Sequence, residues 1–129
     1  MVMWQDSALM LGGAVGVIVG MFHGSVVERV MVRPIGAALA GTDIRISARR
    51  LVSPIMHVST VVYILGGLAL IAIGAGWAPH LRTAVALTIS GFYLHAMVMN
   101  SWATRGRHPG WMLMAVALVL IQAGVWLQN

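Results

Sequence analysis

Four long apolar stretches without a charged residue dominate this chain of 129 residues. A helix needs roughly 17 to 25 mostly apolar residues to cross the hydrocarbon core of a bilayer. Only 9% of the residues are charged, and nearly all of them lie between these stretches. The sequence therefore predicts an all-α integral membrane protein, a single domain of four transmembrane helices. The predicted spans cover residues 8–27, 51–78, 83–104 and 111–127.

The distribution of arginine predicts the orientation of these spans. The chain has eight arginines and no lysine, and seven of the arginines lie in the link at 28–50 or in the turn before the fourth span. Loops rich in arginine remain in the cytoplasm. We therefore expect an up-down bundle with cytoplasmic arginine-rich loops and both termini outside. All five tryptophans fall at predicted span ends, where the membrane interface suits an apolar ring with a polar N–H.

Composition also predicts the surroundings of the protein. The arginines flank apolar spans and form no basic face with interleaved aromatic residues, so nucleic acid is not expected as a partner. They are expected to contact anionic lipid headgroups of the bilayer. Absent lysine alongside abundant arginine, alanine and glycine fits a bacterial inner membrane. The expected protein partners are other membrane subunits or further copies of this chain, because so little of it lies outside the bilayer.

Prolines and a capping residue organise the interfacial link at 28–50. Pro34 disfavours a simple helical continuation of the first span, since its ring removes an N–H donor. Thr42 and Asp43 supply a helix cap, which predicts a helix from about Ile44 into the second span. Pro54 predicts a kink within that span, close to His57.

Glycine recurs at every fourth position of the first span. Because each helical residue turns by about 100°, these glycines share one face and form a shallow groove. Such a groove admits a neighbouring helix or a flat ligand. The four glycines are Gly12, Gly16, Gly20 and Gly24.

Three histidines are predicted at one depth in three different spans. His23, His57 and His95 each lie five to seven residues inside a cytoplasmic span end, which places them roughly 8 to 11 Å below the interface. Ionisable side chains within a membrane usually face the bundle or a cavity and indicate a functional site. Glu28 points away from His23 on an ideal helix and is expected to pair with an arginine at the surface. It is not expected to join the histidine cluster.

Two kinds of cofactor are predicted for this histidine layer. His23 and His95 could be axial ligands of a b-type haem, with small residues making room for the ring. Those small residues are Gly16, Gly20 and Gly91. Alternatively, all three histidines could bind zinc or copper. The plain alternative is that neutral histidines form hydrogen bonds between helices.

Three functions remain open at the level of sequence. The first is a subunit that binds haem or metal for electron transfer in a larger membrane complex. The second is a non-catalytic accessory or assembly subunit that packs through the glycine groove. The third is a small oligomeric transporter or channel. Thiol chemistry and a retinal Schiff base are excluded, because the chain has neither cysteine nor lysine.

Overall fold

The computed structural model describes residues 3–126, and this part of the chain is helical without any strand. The prediction of an all-α protein is therefore confirmed. The last residue of the predicted fourth span, Leu127, lies outside the described residues. The helices are α1 (Trp4–Val27), α2 (Arg33–Ala40), α3 (Ile46–Met56), α4 (Val58–Gly74), α5 (Arg82–Thr104) and α6 (Gly110–Trp126).

Three helical units are long and apolar enough to cross a membrane. They are Trp4–Ala40, Ile46–Gly74 and Pro79–Thr104. The fourth predicted span corresponds to α6, an apolar helix of 17 residues, at the short end of the spanning range. The helices are therefore compatible with the predicted membrane bundle.

The first helical unit continues past Pro34 through a π-helical turn at Glu28–Val32. In this wider turn the Arg33 N–H donates to the carbonyl of Glu28, five residues earlier. Pro34 follows directly after this turn, as the second residue of α2. The link expected along the interface is thus largely helical, and α2 extends α1.

The second unit is interrupted at His57, which has φ −89° and ψ 0° between α3 and α4. The kink expected beside Pro54 therefore lies three residues further along. α4 then ends at Gly74, four residues before the predicted end of the span. The chain turns there because Gly76 and Ala78 adopt positive φ angles of 90° and 46°.

The four long helices form a bundle in which α1 packs against α4 on one side and α6 on the other. α5 packs against α6 and, less extensively, against α4. Arg82 at the start of α5 bonds to Asp6 in the first turn of α1 and to the Gly124 carbonyl near the end of α6. These three helix ends therefore meet at one end of the bundle, as an up-down order requires. The largest fully buried side chains are Leu9, Leu70, Tyr93 and Ile121.

Candidate functional site

Two of the three predicted histidines lie on the neighbouring helical units Trp4–Ala40 and Ile46–Gly74. His23 is half-buried, and its ring meets Tyr63 edge-on at a centroid distance of 5.4 Å. His57 occupies the break before α4, where its Nε2 lies 3.3 Å from Oε2 of Glu28. His23 therefore contacts Tyr63 of the second helical unit, and His57 contacts Glu28 of the first.

The third histidine, His95, lies on the opposite side of α5 from the core. Its side chain is exposed and makes no hydrogen bond with any residue in the described range 3–126. Gly91, one turn earlier, is also exposed, and a Cβ built on it would meet nothing within 4 Å. Equal depth thus does not bring His95 to His23 and His57.

This placement bears on both predicted cofactors. Among residues 3–126, no three histidine or acidic side chains come close enough to hold a metal ion. The predicted haem pair does not form within one chain either, since His23 borders the bundle interior and His95 faces outward. The arrangement therefore does not fit a three-histidine metal centre or a haem held between His23 and His95.

Glu28 takes a role that sequence reasoning missed. It pairs with Arg33 as expected, with Arg33 Nε 3.3 Å from Oε1, but its other oxygen faces His57. The two partners are 29 residues apart in sequence, so only the packing of α1 against α4 reveals the contact. The expectation that Glu28 stays apart from the histidines is therefore wrong for His57, because the ideal-helix geometry behind it concerned only His23.

The glycine groove of α1 is filled by neighbouring side chains. Gly12 faces Ile121 of α6, whereas Gly20 faces Ile64 of α4. At Gly16 a Cβ would overlap the hydroxyl of Tyr93, which reaches across the bundle from α5. A Cβ at Gly24 would lie 2.8 Å from Thr60. The four glycines therefore serve contacts with three different helices, whose side chains occupy the space that a flat ligand along these glycines would need.

A partly open cavity of about 590 Å³ lies beside His23. Its walls come from α1, from the π-helical turn and from the region where α5 turns into α6, and most of them are apolar. The polar residues of the lining are His23, Asn100, Thr104 and His108. We call this space the His23 cavity.

The α5–α6 turn positions the polar part of this cavity. Arg105 and Gly106 adopt left-handed conformations with φ 50° and 73°, which ends α5 and reverses the chain. The Trp111 indole then donates to the Gly106 carbonyl over 3.1 Å and closes the turn. The Gly110 N–H donates to His108 Nδ1 over 3.0 Å, so a neutral His108 ring carries its proton on Nε2.

Comparison of the chain with known protein families, with curated proteins and with solved structures found no match. Function is therefore inferred from the side chains themselves. Two features of the described residues stand out. One is the His23 cavity, and the other is the exposed histidine of α5.

The exposed side of α5 carries small and polar residues at helical spacing. We call this set the α5 outer face. All of its members are exposed in the isolated chain, and they occur at intervals of three or four residues. The members are Ala84, Thr88, Gly91 and His95.

Proposed function

We propose that this protein is a membrane-embedded assembly subunit that pairs with a second copy of itself through the α5 outer face. The observation that supports this most is the exposure of His95 in an apolar helix, without a hydrogen-bond partner in residues 3–126. A polar group facing lipid loses its bonds to water and gains none in return. A partner that bonds to the imidazole removes this cost.

The surroundings of His95 suit a second helix. Gly91 lies one turn away and has open space where a Cβ would be, and Thr88 and Ala84 continue the same face. Small residues let two membrane helices approach closely, so that backbone atoms come into contact. The α5 outer face therefore offers both room for a helix and a group that needs a bond.

A second copy related by a two-fold axis provides a hydrogen-bond partner for His95. A two-fold axis along the membrane normal places two α5 helices side by side and parallel, with both His95 rings at one depth. A neutral imidazole donates with one nitrogen and accepts with the other, so the two rings complement each other. Intramembrane hydrogen bonds contribute about 1 kcal/mol, which corresponds to about fivefold in the dimerisation constant.

Cysteine cross-linking tests this pairing, because the native chain contains no cysteine. A disulfide needs Cα atoms within about 7 Å, so it reports a close and specific approach. In native membranes under mild oxidation, Thr88→Cys is expected to give a covalent dimer. Leu65→Cys is the matched control, because Leu65 is 60% exposed on α4 and is predicted at a similar depth. It is expected to remain monomeric.

Variants of His95 test whether the dimer depends on a hydrogen bond of the imidazole or only on the close approach of two α5 helices. In the Thr88→Cys background, His95→Leu is expected to lower the cross-linked fraction, and His95→Asn is expected to preserve most of it. Equal cross-linking at Thr88 and Leu65 would indicate random collision and contradict the proposal. So would an unchanged dimer in His95→Leu.

A further inference from the structure

We infer that the His23 cavity binds one acyl chain of an anionic phospholipid, whose headgroup lies among the arginines beside the α5–α6 turn. This inference rests on the membrane location in the proposed function, but it does not require pairing through α5. The cavity is distinct from the α5 outer face, since none of the four residues of that face lines it.

The volume and the walls of the cavity suit a hydrocarbon chain. Pockets that bind small molecules measure about 300 to 1,000 Å³, and the His23 cavity falls within that range. On α1, Ile18 and Val19 line it about one turn deeper than His23, and Leu113 lines it from α6. This end of the cavity is apolar, so it has no bond to offer a polar ligand.

The polar lining consists mainly of groups with unused hydrogen-bonding capacity. His23 makes no hydrogen bond to the described residues, and Nε2–H of His108 has no partner there either. Asn100 carries a buried side-chain oxygen without a partner in the same residues. A phosphate group accepts hydrogen bonds, so the two histidines match such a headgroup as donors.

The charges next to the cavity favour an anion. Arg29 is the chain neighbour of the lining residue Val30, and Arg107 is the neighbour of the lining residue His108. Both arginines are exposed and make no salt bridge in the described residues. Basic pockets between membrane helices on the cytoplasmic side are typical binding sites for anionic headgroups.

Acidic residues do not cancel this positive charge. Asp6 lies in the first turn of α1, where it pairs with Arg82, and Glu28 is already engaged by His57 and Arg33. Charge complementarity therefore favours an anionic lipid over a neutral one. The apolar walls favour a lipid over a free phosphate.

Native mass spectrometry of the purified full-length protein tests this site. The protein is delipidated in mild detergent and offered equal amounts of phosphatidylglycerol and phosphatidylcholine with identical chains. We expect one phosphatidylglycerol to remain bound per chain, in preference to phosphatidylcholine. Arg29→Gln and Arg107→Gln should each reduce this preference by about fivefold, because each arginine near the headgroup contributes separately.

A second pair of variants tests the apolar part of the site. Val26 lines the cavity, whereas Val61 is exposed on α4 outside it. Val26→Phe is expected to expel the lipid by filling the space, and Val61→Phe is expected to retain it. The arginine variants do not alter the walls, so they test the site even if Val26→Phe fails to fold.

Three results would overturn the inference. They are equal retention of the two lipids, equal retention by the two valine variants, and displacement of the lipid by excess inorganic phosphate. The last would identify a free anion as the ligand. His95→Leu is expected to keep the bound lipid even where it abolishes pairing, so the two proposals fail independently.

Discussion

Gly13 of α1 and Gly67 of α4 lie against each other, each with its backbone in the place where a side chain of the other would be. A Cβ at Gly67 would lie 2.5 Å from the carbonyl oxygen of Gly13, and a Cβ at Gly13 would overlap the carbonyl oxygen of Gly67. Glycine is therefore required on both helices at this crossing. Neither residue belongs to the four-residue repeat that the sequence displays.

Gly13→Ala is expected to destabilise the bundle. The added methyl group forces α1 and α4 apart, and overpacking of this kind costs about 1 to 3 kcal/mol. The free energy of unfolding in mixed micelles, titrated with a denaturing detergent, measures the effect. Gly36→Ala is the control, because Gly36 lies on α2 with open space around it. That variant should be neutral or slightly stabilising, since alanine favours a helix more than glycine does. Equal losses in the two variants would contradict the crossing.

Arg82→Gln is expected to loosen the end of the bundle where α1, α5 and α6 meet. Arg82 lies 2.6 Å from Asp6 and 2.9 Å from the Gly124 carbonyl, and both side chains of the ion pair are mostly shielded. Hydrogen bonds to charged groups contribute about 1.5 to 3 kcal/mol, so a loss of about 2 kcal/mol is expected in the same titration.

Arg33→Gln provides the comparison for this ion pair. Arg33 pairs with Glu28, but its side chain is 73% exposed. Exposed pairs contribute little because water screens them. This variant should therefore be close to the wild type in stability. A larger loss of stability in Arg33→Gln than in Arg82→Gln would contradict the prediction that the contact of Arg82 with α1 and α6 is the stronger one.

The absorption spectrum of the purified protein distinguishes the assembly proposal from the haem interpretation. Because His95 faces away from His23, we expect no Soret band in the oxidised or the dithionite-reduced sample, and no stoichiometric zinc or copper by elemental analysis. A Soret band that disappears in His23→Ala or His95→Ala would contradict the proposed function and favour electron transfer.

The histidine layer shows what helical spacing predicts correctly and what it does not. Position along the apolar stretches placed His23 and His95 in helices, and placed His57 in a span that the structure interrupts at that residue. It did not indicate which side of each helix faces the core. α5 buries Ala86, Ser90, Tyr93 and Ala96, which places His95 outside. Its apolar residues are distributed all around the helix, so no amphipathic stripe marks the buried side.

The glycine repeat of α1 takes part in helix packing and does not form the ligand groove that its spacing suggested. Regular spacing predicted one continuous groove, but the four glycines of α1 face side chains from three different helices. The His23 cavity could not be predicted, because its lining combines residues from near 18 to near 113 in the chain. Only the packing of α1 beside the α5–α6 turn brings these residues together.

Local sequence is enough to specify that the long apolar stretches are helical, but not every point at which a helix continues or breaks, since the first helix runs past Pro34 and the second unit is interrupted at His57. Long apolar stretches satisfy their backbone groups as helices, and residues with positive φ such as Gly76 and Arg105 lie where the chain turns between them. Tertiary structure decides which side of each helix is buried, because in a chain apolar on all sides the choice depends on close packing. The crossing at Gly13 and Gly67, the contact of Glu28 with His57 and the outward direction of His95 all depend on that packing.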